Sequence, residues 1–82
     1  MRFSINYLVK NLCEVEVLKE FKIIKIESEQ IAIKRRLLEL GFLPGRKLRI
    51  NRKSLSKKTI LVEIGGYLLA LRCAVAKCIF VE

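Results

Sequence analysis

One short stretch, Leu40-Gly41-Phe42-Leu43-Pro44-Gly45, requires a helix to end and the chain to reverse within six residues. Gly41 follows an amphipathic run and suits the positive φ of a helix C′ position. Leu43-Pro44-Gly45-Arg46 carries Pro at i+1 and Gly at i+2, the signature of a type II turn. Upstream, Ser28 to Leu40 is the best helix in the chain, about residues 28–40. Ser28 is placed as its N-cap and Glu29 in its first turn. Ile31, Ile33, Leu37, Leu38 and Leu40 share one half of the helical wheel, while Arg35, Arg36 and Glu39 share the other. Leu37 and Leu40 are therefore expected beneath the helix. Gly41, Pro44 and Gly45 are read as structural devices.

Most of the remaining chain has the period of strands. Glu20 to Glu27 alternates, with Phe21, Ile23 and Ile26 facing inward. Ile24 beside Ile23 predicts either burial on both faces or a bulge. Arg46 to Arg52 alternates around Leu48 and Ile50, and Lys53 to Lys58 is a polar loop. Thr59 to Ile64 is a β-branched strand. Gly65-Gly66 makes a tight hairpin turn, and Tyr67 to Arg72 returns as the partner strand. Cys73 to Lys77 makes one helical turn, and Cys78 to Glu82 is the last strand. At the other end, Ser4 caps a short helix bearing Ile5, Leu8, Val9 and Leu12. Five short strands and one covering helix predict a mainly β fold, a small barrel.

At 82 residues the chain has room for one compact domain over 1–82 and none for a deep catalytic cavity. It contains no His, no Trp and no Asp, so acid–base chemistry near neutral pH would fall to Glu, Cys, Tyr or Lys. An enzyme is not expected, nor is a cofactor. The longest charge-free run, Ile64 to Leu71, is far short of the ~20 apolar residues of a membrane span. Three cysteines, Cys13, Cys73 and Cys78, give an odd count with no CxxC. That argues against a disulfide framework and for the reducing cytoplasm, with all three as buried structural thiols. Metal sites are usually built from His, Cys and carboxylate, and without His or Asp no metal role is expected.

The net charge of +9 is concentrated. Residues 1–29 and 59–82 are each neutral overall, whereas Gln30 to Lys58 holds ten Lys/Arg against one Glu. Either this segment is a solvated face or it meets something anionic: an acidic protein, a lipid headgroup or a nucleic acid.

Three further stretches belong together: Arg36 to Gly45 (RLLELGFLPG), Gly66 to Arg72 (GYLLALR) and Ala76 to Glu82 (AKCIFVE). As a set they resemble the ferrous iron transport protein A (FeoA) family. The strand from Phe21 fits that family's first strand, and Leu12-Cys13-Glu14-Val15 fits its opening. The likeness spans about Leu12 to Glu82, with residues 1–11 as an N-terminal extension. It implies an SH3-like barrel and a cytosolic accessory of ferrous iron uptake. Such an accessory would bind the large membrane subunit, with its cytosolic GTP-binding part, and modulate transport or nucleotide turnover. Similar domains end iron-dependent repressors, but no helix-turn-helix precedes this one. Two departures stand out. Glu16-Val17-Leu18 replaces the family's Lys-Pro-Gly turn, and Ser54-Leu55-Ser56-Lys57-Lys58 replaces a Pro-Leu-Gly-Asp-Pro type loop, making it more basic and more mobile.

The contact residues expected on this reading fall into two sets. Phe42, Leu43 and Tyr67 form an apolar patch at the turns. Arg46, Lys47, Arg49, Arg52, Lys53, Lys57 and Lys58 form a basic surface that approaches the transporter or the adjacent anionic membrane. Gly65 and Gly66 join the structural set. A basic nucleic-acid-binding module is the alternative. It is disfavoured because no aromatic lies between Arg46 and Gly66 to stack on bases.

Overall fold

A computed structural model describes residues 9–82; the short helix expected after Ser4 therefore lies outside the described residues, apart from Val9 and Leu12. In chain order the elements are β1 (Lys10–Asn11), a 3₁₀ turn (Leu12–Glu14), β2 (Glu20–Ile26), α1 (Ile31–Glu39), β3 (Lys47–Lys53), β4 (Thr59–Ile64), β5 (Tyr67–Arg72), α2 (Cys73–Ala76) and β6 (Ile79–Val81). The strands form one antiparallel sheet in the order β1-β6-β2-β3-β4-β5. Among the described residues the count is six strands rather than five, because Lys10 and Asn11 pair with Val81 and Phe80. The outer strands β1 and β5 do not pair with each other, so the sheet is open where a closed barrel was expected.

The helix is shorter than its hydrophobic pattern suggests. It begins at Ile31 with Gln30 at the N-cap, and no acid occupies its first turn. Ser28 instead uses its hydroxyl to accept the Gln30 N–H at 3.1 Å, forming a local turn ahead of the helix. Ile31, at the helix start, is 70% exposed, while Leu37 is buried and Ile33, Leu38 and Leu40 pack against the core.

The helix ends as Gly41 predicts. Gly41 takes φ +100°, its N–H bonds the Leu38 carbonyl at 3.0 Å, and the Phe42 N–H bonds the Leu37 carbonyl at 3.0 Å. These two bonds are a Schellman stop, which brings the C″ side chain onto the last helical turn. Phe42 is accordingly fully buried, as is Leu37. The type II turn follows, closed by Arg46 N–H to Leu43 O at 3.0 Å with Gly45 at φ +90°. Two bonds fasten it to β2: Gly45 N–H to Ile23 O at 2.7 Å, and Ile23 N–H to Arg46 O at 2.9 Å.

Ile24 is a bulge. The register of β2 against β6 shifts between Ile23 and Lys25. Ile23 and Ile26 are three residues apart yet both buried, which strict alternation forbids. One extra residue restores the parity and bends the strand. A second shift, between Ile50 and Arg52, ends the clean alternation of β3.

Leu18 stands where the family's turn glycine stands, and it holds φ +62° with its side chain 65% exposed. A branched residue in this region costs about 1–2 kcal/mol of backbone strain, which the Leu18 N–H to Ile50 O bond at 2.7 Å helps to hold.

The cysteines depart from expectation. Cys13, in the 3₁₀ turn, and Cys73, at the start of α2, are joined in a disulfide with their Cα atoms 5.5 Å apart. Only Cys78 is free, and it is half-buried. Asn11 shapes the first partner's turn: its side chain accepts the Cys13 N–H at 2.9 Å and its own N–H bonds the Glu14 carboxylate at 3.1 Å. The bridge joins the segment after β1 to the segment after β5, so it spans the two unpaired edges of the sheet.

Two outcomes follow for stability. The bridge closes a loop across 60 residues, and removing such a constraint costs about 2–4 kcal/mol. Denaturant melts should show that loss on reduction or in Cys13→Ser, with Cys78→Ser unaffected by comparison. Leu37→Ala should cost about 2–5 kcal/mol by leaving a cavity under α1, whereas exposed Arg35→Ala should cost less than about 0.5 kcal/mol. Equal losses at the two positions would refute the helix orientation.

Candidate interaction surface

β3 divides the expected basic surface into two ends. At its start, two turns converge on Arg46. A Cβ at Gly41 would lie 3.3 Å from one guanidinium nitrogen of Arg46, and a Cβ at Gly65 would lie 3.2 Å from the same atom. The same positions would fall 3.6 Å from the Tyr67 hydroxyl and 3.6 Å from its ring. Both glycines also hold positive φ. The Gly41 turn and the Gly65-Gly66 hairpin thus leave a floor without side chains, on which Arg46 and Tyr67 lie. The Tyr67 hydroxyl donates to the carbonyl of Leu40, the C-cap of α1, and so ties the hairpin to the helix end. Leu43 opens the type II turn beside them. Leu43 and Tyr67 are each 43% exposed. Leu43, Arg46 and Tyr67 therefore belong to one end of the molecule. Phe42 does not join them, because the Schellman stop turns it into the core.

Along the first half of β3 the cations are paired. Lys47 Nζ lies 4.0 Å from the Glu20 carboxylate and Arg49 Nε lies 3.4 Å from that of Glu63. Such exposed pairs add little stability, ~0–1 kcal/mol each, but they neutralise the first half of the strand.

The far end of β3 is different again. Arg52 is exposed, but Lys53 is half-buried and its Nζ donates to the Cys13 carbonyl at 3.3 Å. Lys53 therefore serves the 3₁₀ turn instead of standing free in a loop. The loop after it is a hydrogen-bonded turn. The Ser54 hydroxyl accepts the N–H groups of Lys58 at 3.2 Å and Thr59 at 3.1 Å. Ser54 N–H reaches Thr59 O at 2.8 Å, and Lys57 N–H reaches Ser54 O at 2.9 Å. Lys57 takes φ +61°, a second non-glycine residue with positive φ.

Lys57 and Lys58 have neighbours outside the segment singled out by composition. Together with Arg72 and Lys77 they line a shallow concavity that contains no carboxylate. Thr59 pairs with Arg72 across the hairpin, and the Cys73 N–H bonds the Lys58 carbonyl at 2.8 Å. Arg72 and Lys77 were missed because 59–82 is neutral in sum. Counting pairs outward from Gly65-Gly66 would have placed Arg72 opposite Thr59. Among the described residues, no three of His, Cys, Asp and Glu gather as a metal site. No helix of the described residues is long and apolar enough to cross a membrane.

A small SH3-like domain of the kind found in bacterial ferrous iron transport is what this fold defines. The chain belongs to the FeoA family, whose FeoA domain model matches residues 10–82. A FeoA-like protein from Clostridium acetobutylicum is 32% identical, over 90% of this chain and 85% of that one, with a TM-score of 0.82. The zinc-complexed FeoA of Stenotrophomonas maltophilia, described as a prokaryotic SH3 domain protein and a candidate ferrous iron transport activating factor, is 31% identical over 88% of each chain (TM-score 0.79). A manganese-dependent transcriptional repressor shares the fold alone, at 19% identity over 90% of this chain and 36% of its own, with a TM-score of 0.83. No curated protein matches the sequence closely enough to count as a relative.

The turn at 54–59 gives a direct check. Ser54→Ala leaves two backbone N–H groups without their acceptor and should cost about 1 kcal/mol. Ser56→Ala, whose hydroxyl reaches only Ser54 at 3.3 Å, should cost much less in the same melts.

Proposed function

We propose that this protein is a non-enzymatic cytosolic accessory of ferrous iron uptake. It binds the large membrane subunit of the transporter at its cytosolic GTP-binding part and modulates transport or nucleotide turnover. Membership of the FeoA family across residues 10–82 carries this reading. The contact surface is the end of the molecule that holds Leu43, Arg46 and Tyr67. Two partly exposed apolar groups beside one guanidinium suit a protein interface, where an aromatic and an arginine commonly dominate the binding energy. The glycine floor and the Tyr67 bond to Leu40 hold these side chains in place before binding, which lowers the ordering cost of association.

The test is association with the detergent-solubilised large subunit. Leu43→Ser combined with Arg46→Glu should weaken binding by about tenfold or more. The thermal midpoint should stay within a few degrees, because both side chains are exposed. Unchanged binding by the double variant would move the contact elsewhere. Recovery of ribosomal RNA in place of the transporter would overturn the reading.

A further inference from the structure

We propose that the 54–59 turn and the concavity beside it form a docking surface for an anionic lipid bilayer, with Leu55 as the inserting group. Leu55 is fully exposed, at 104% of the reference area, on the tip of a turn that Ser54 holds with two hydrogen bonds. An isolated surface leucine needs no explanation, but this one stands on a closed turn among cations. Lys57 and Lys58 follow it after Ser56, and Arg72 and Lys77 join them around a concavity without a carboxylate. All four are exposed, and none takes part in an ion pair among the described residues. Elsewhere Lys19, Lys25, Arg36, Lys47 and Arg49 each face a glutamate. Unpaired cations also stand elsewhere, on α1 and β3 among them, but the concavity brings four of them together beside the apolar tip.

That pairing matches the chemistry of a bilayer surface. Headgroup phosphates sit above the acyl boundary, so an inserted leucine and a surrounding set of cations are satisfied together. Each basic side chain near an anionic surface strengthens binding roughly fivefold, and the attraction fades within about 10 Å at 0.1 M salt. One leucine and four cations give weak, reversible attachment, since even a single acyl chain anchors a protein only marginally. Nucleic acid fits less well. It would use the cations but not Leu55, and no aromatic lines the concavity for bases to stack on. The lipid contact adds to the protein contact proposed above and does not require it.

Protein-free vesicles test the surface apart from any transporter. The sequence contains no Trp, so Leu55→Trp adds a single reporter at the tip. With phosphatidylcholine vesicles containing about 30% phosphatidylglycerol, in about 0.1 M salt, its emission should shift to the blue. With pure phosphatidylcholine vesicles it should not. In sedimentation with the anionic vesicles, Lys57→Glu with Lys58→Glu should weaken binding by about tenfold or more. Leu55→Ser should weaken it severalfold. Lys34→Glu with Arg35→Glu makes the same charge change on exposed positions of α1 and should stay within about twofold of wild type. The variants should keep the wild-type thermal midpoint within a few degrees. Equal losses from the loop and α1 reversals would reduce the effect to net charge and overturn the proposal. An unshifted Leu55→Trp emission on bound vesicles would do the same, as would tighter binding to an RNA oligomer than to the vesicles.

Discussion

Ile23 is where the molecule is held together. On one side its backbone carbonyl and N–H bond Gly45 and Arg46 of the turn after α1. On the other it is the partner of Val81 in β6. Its side chain is buried between them. The helix, the reversal that follows it and both flanks of the sheet therefore share one residue of β2. The bulge at Ile24 makes this possible. Without it, Ile23 and Ile26 would face opposite sides, and β2 could not offer both to the core. Gly41 seats Phe42 against Leu37, and the bonds at Ile23 hold the turn that follows in register with β2.

Features set by local rules were legible in the sequence. Gly41, the type II turn and the Gly65-Gly66 hairpin each need positive φ at a defined place, and glycine stands there. The bounds of β4 and β5 follow from that hairpin. The helix start was misplaced because Ser28 and Glu29 look like a cap and first turn in isolation. The hydroxyl of Ser28 has a nearer use, the Gln30 N–H. Positions set by tertiary packing were not legible. Phe42 reads as a turn residue until the fold shows where a C″ side chain goes. Lys53 reads as a loop lysine until the 3₁₀ turn comes within its reach. The Cys13–Cys73 pairing joins residues 60 apart in sequence, and nothing near either cysteine names the other. The FeoA likeness was legible from the set of motifs around the turn and hairpin, yet it carried no information about the loop that departs from the family.

The disulfide bears on the location assigned to the protein. An odd cysteine count argued for a reducing compartment, where thiol systems keep such bridges open. Both of its cysteines pack against the margin of the buried core. What it holds are the 3₁₀ turn and α2, next to the unpaired edges of an open sheet. Opening it would loosen the β1 edge first, because β1 is only two residues long. The domain is thus built so that its core rests on burial and its edges rest partly on covalent chemistry.

The distribution of charge decides what kind of partner the basic segment can serve. A chain that tracked a nucleic-acid backbone would need a continuous cationic path, since each phosphate carries a charge at regular spacing. β3 interrupts such a path. It is seven residues long, roughly 20 Å, and its first two cations, Lys47 and Arg49, face Glu20 and Glu63. Arg46 remains at one end, with Leu43 and Tyr67 beside it. At the other end Lys57 and Lys58 gather with Arg72, Lys77 and an exposed leucine. Each end combines free cations with apolar groups held by hydrogen-bonded turns. Two separated patches of that mixed character suit two different contacts, one with protein and one with lipid, better than one long polyanion.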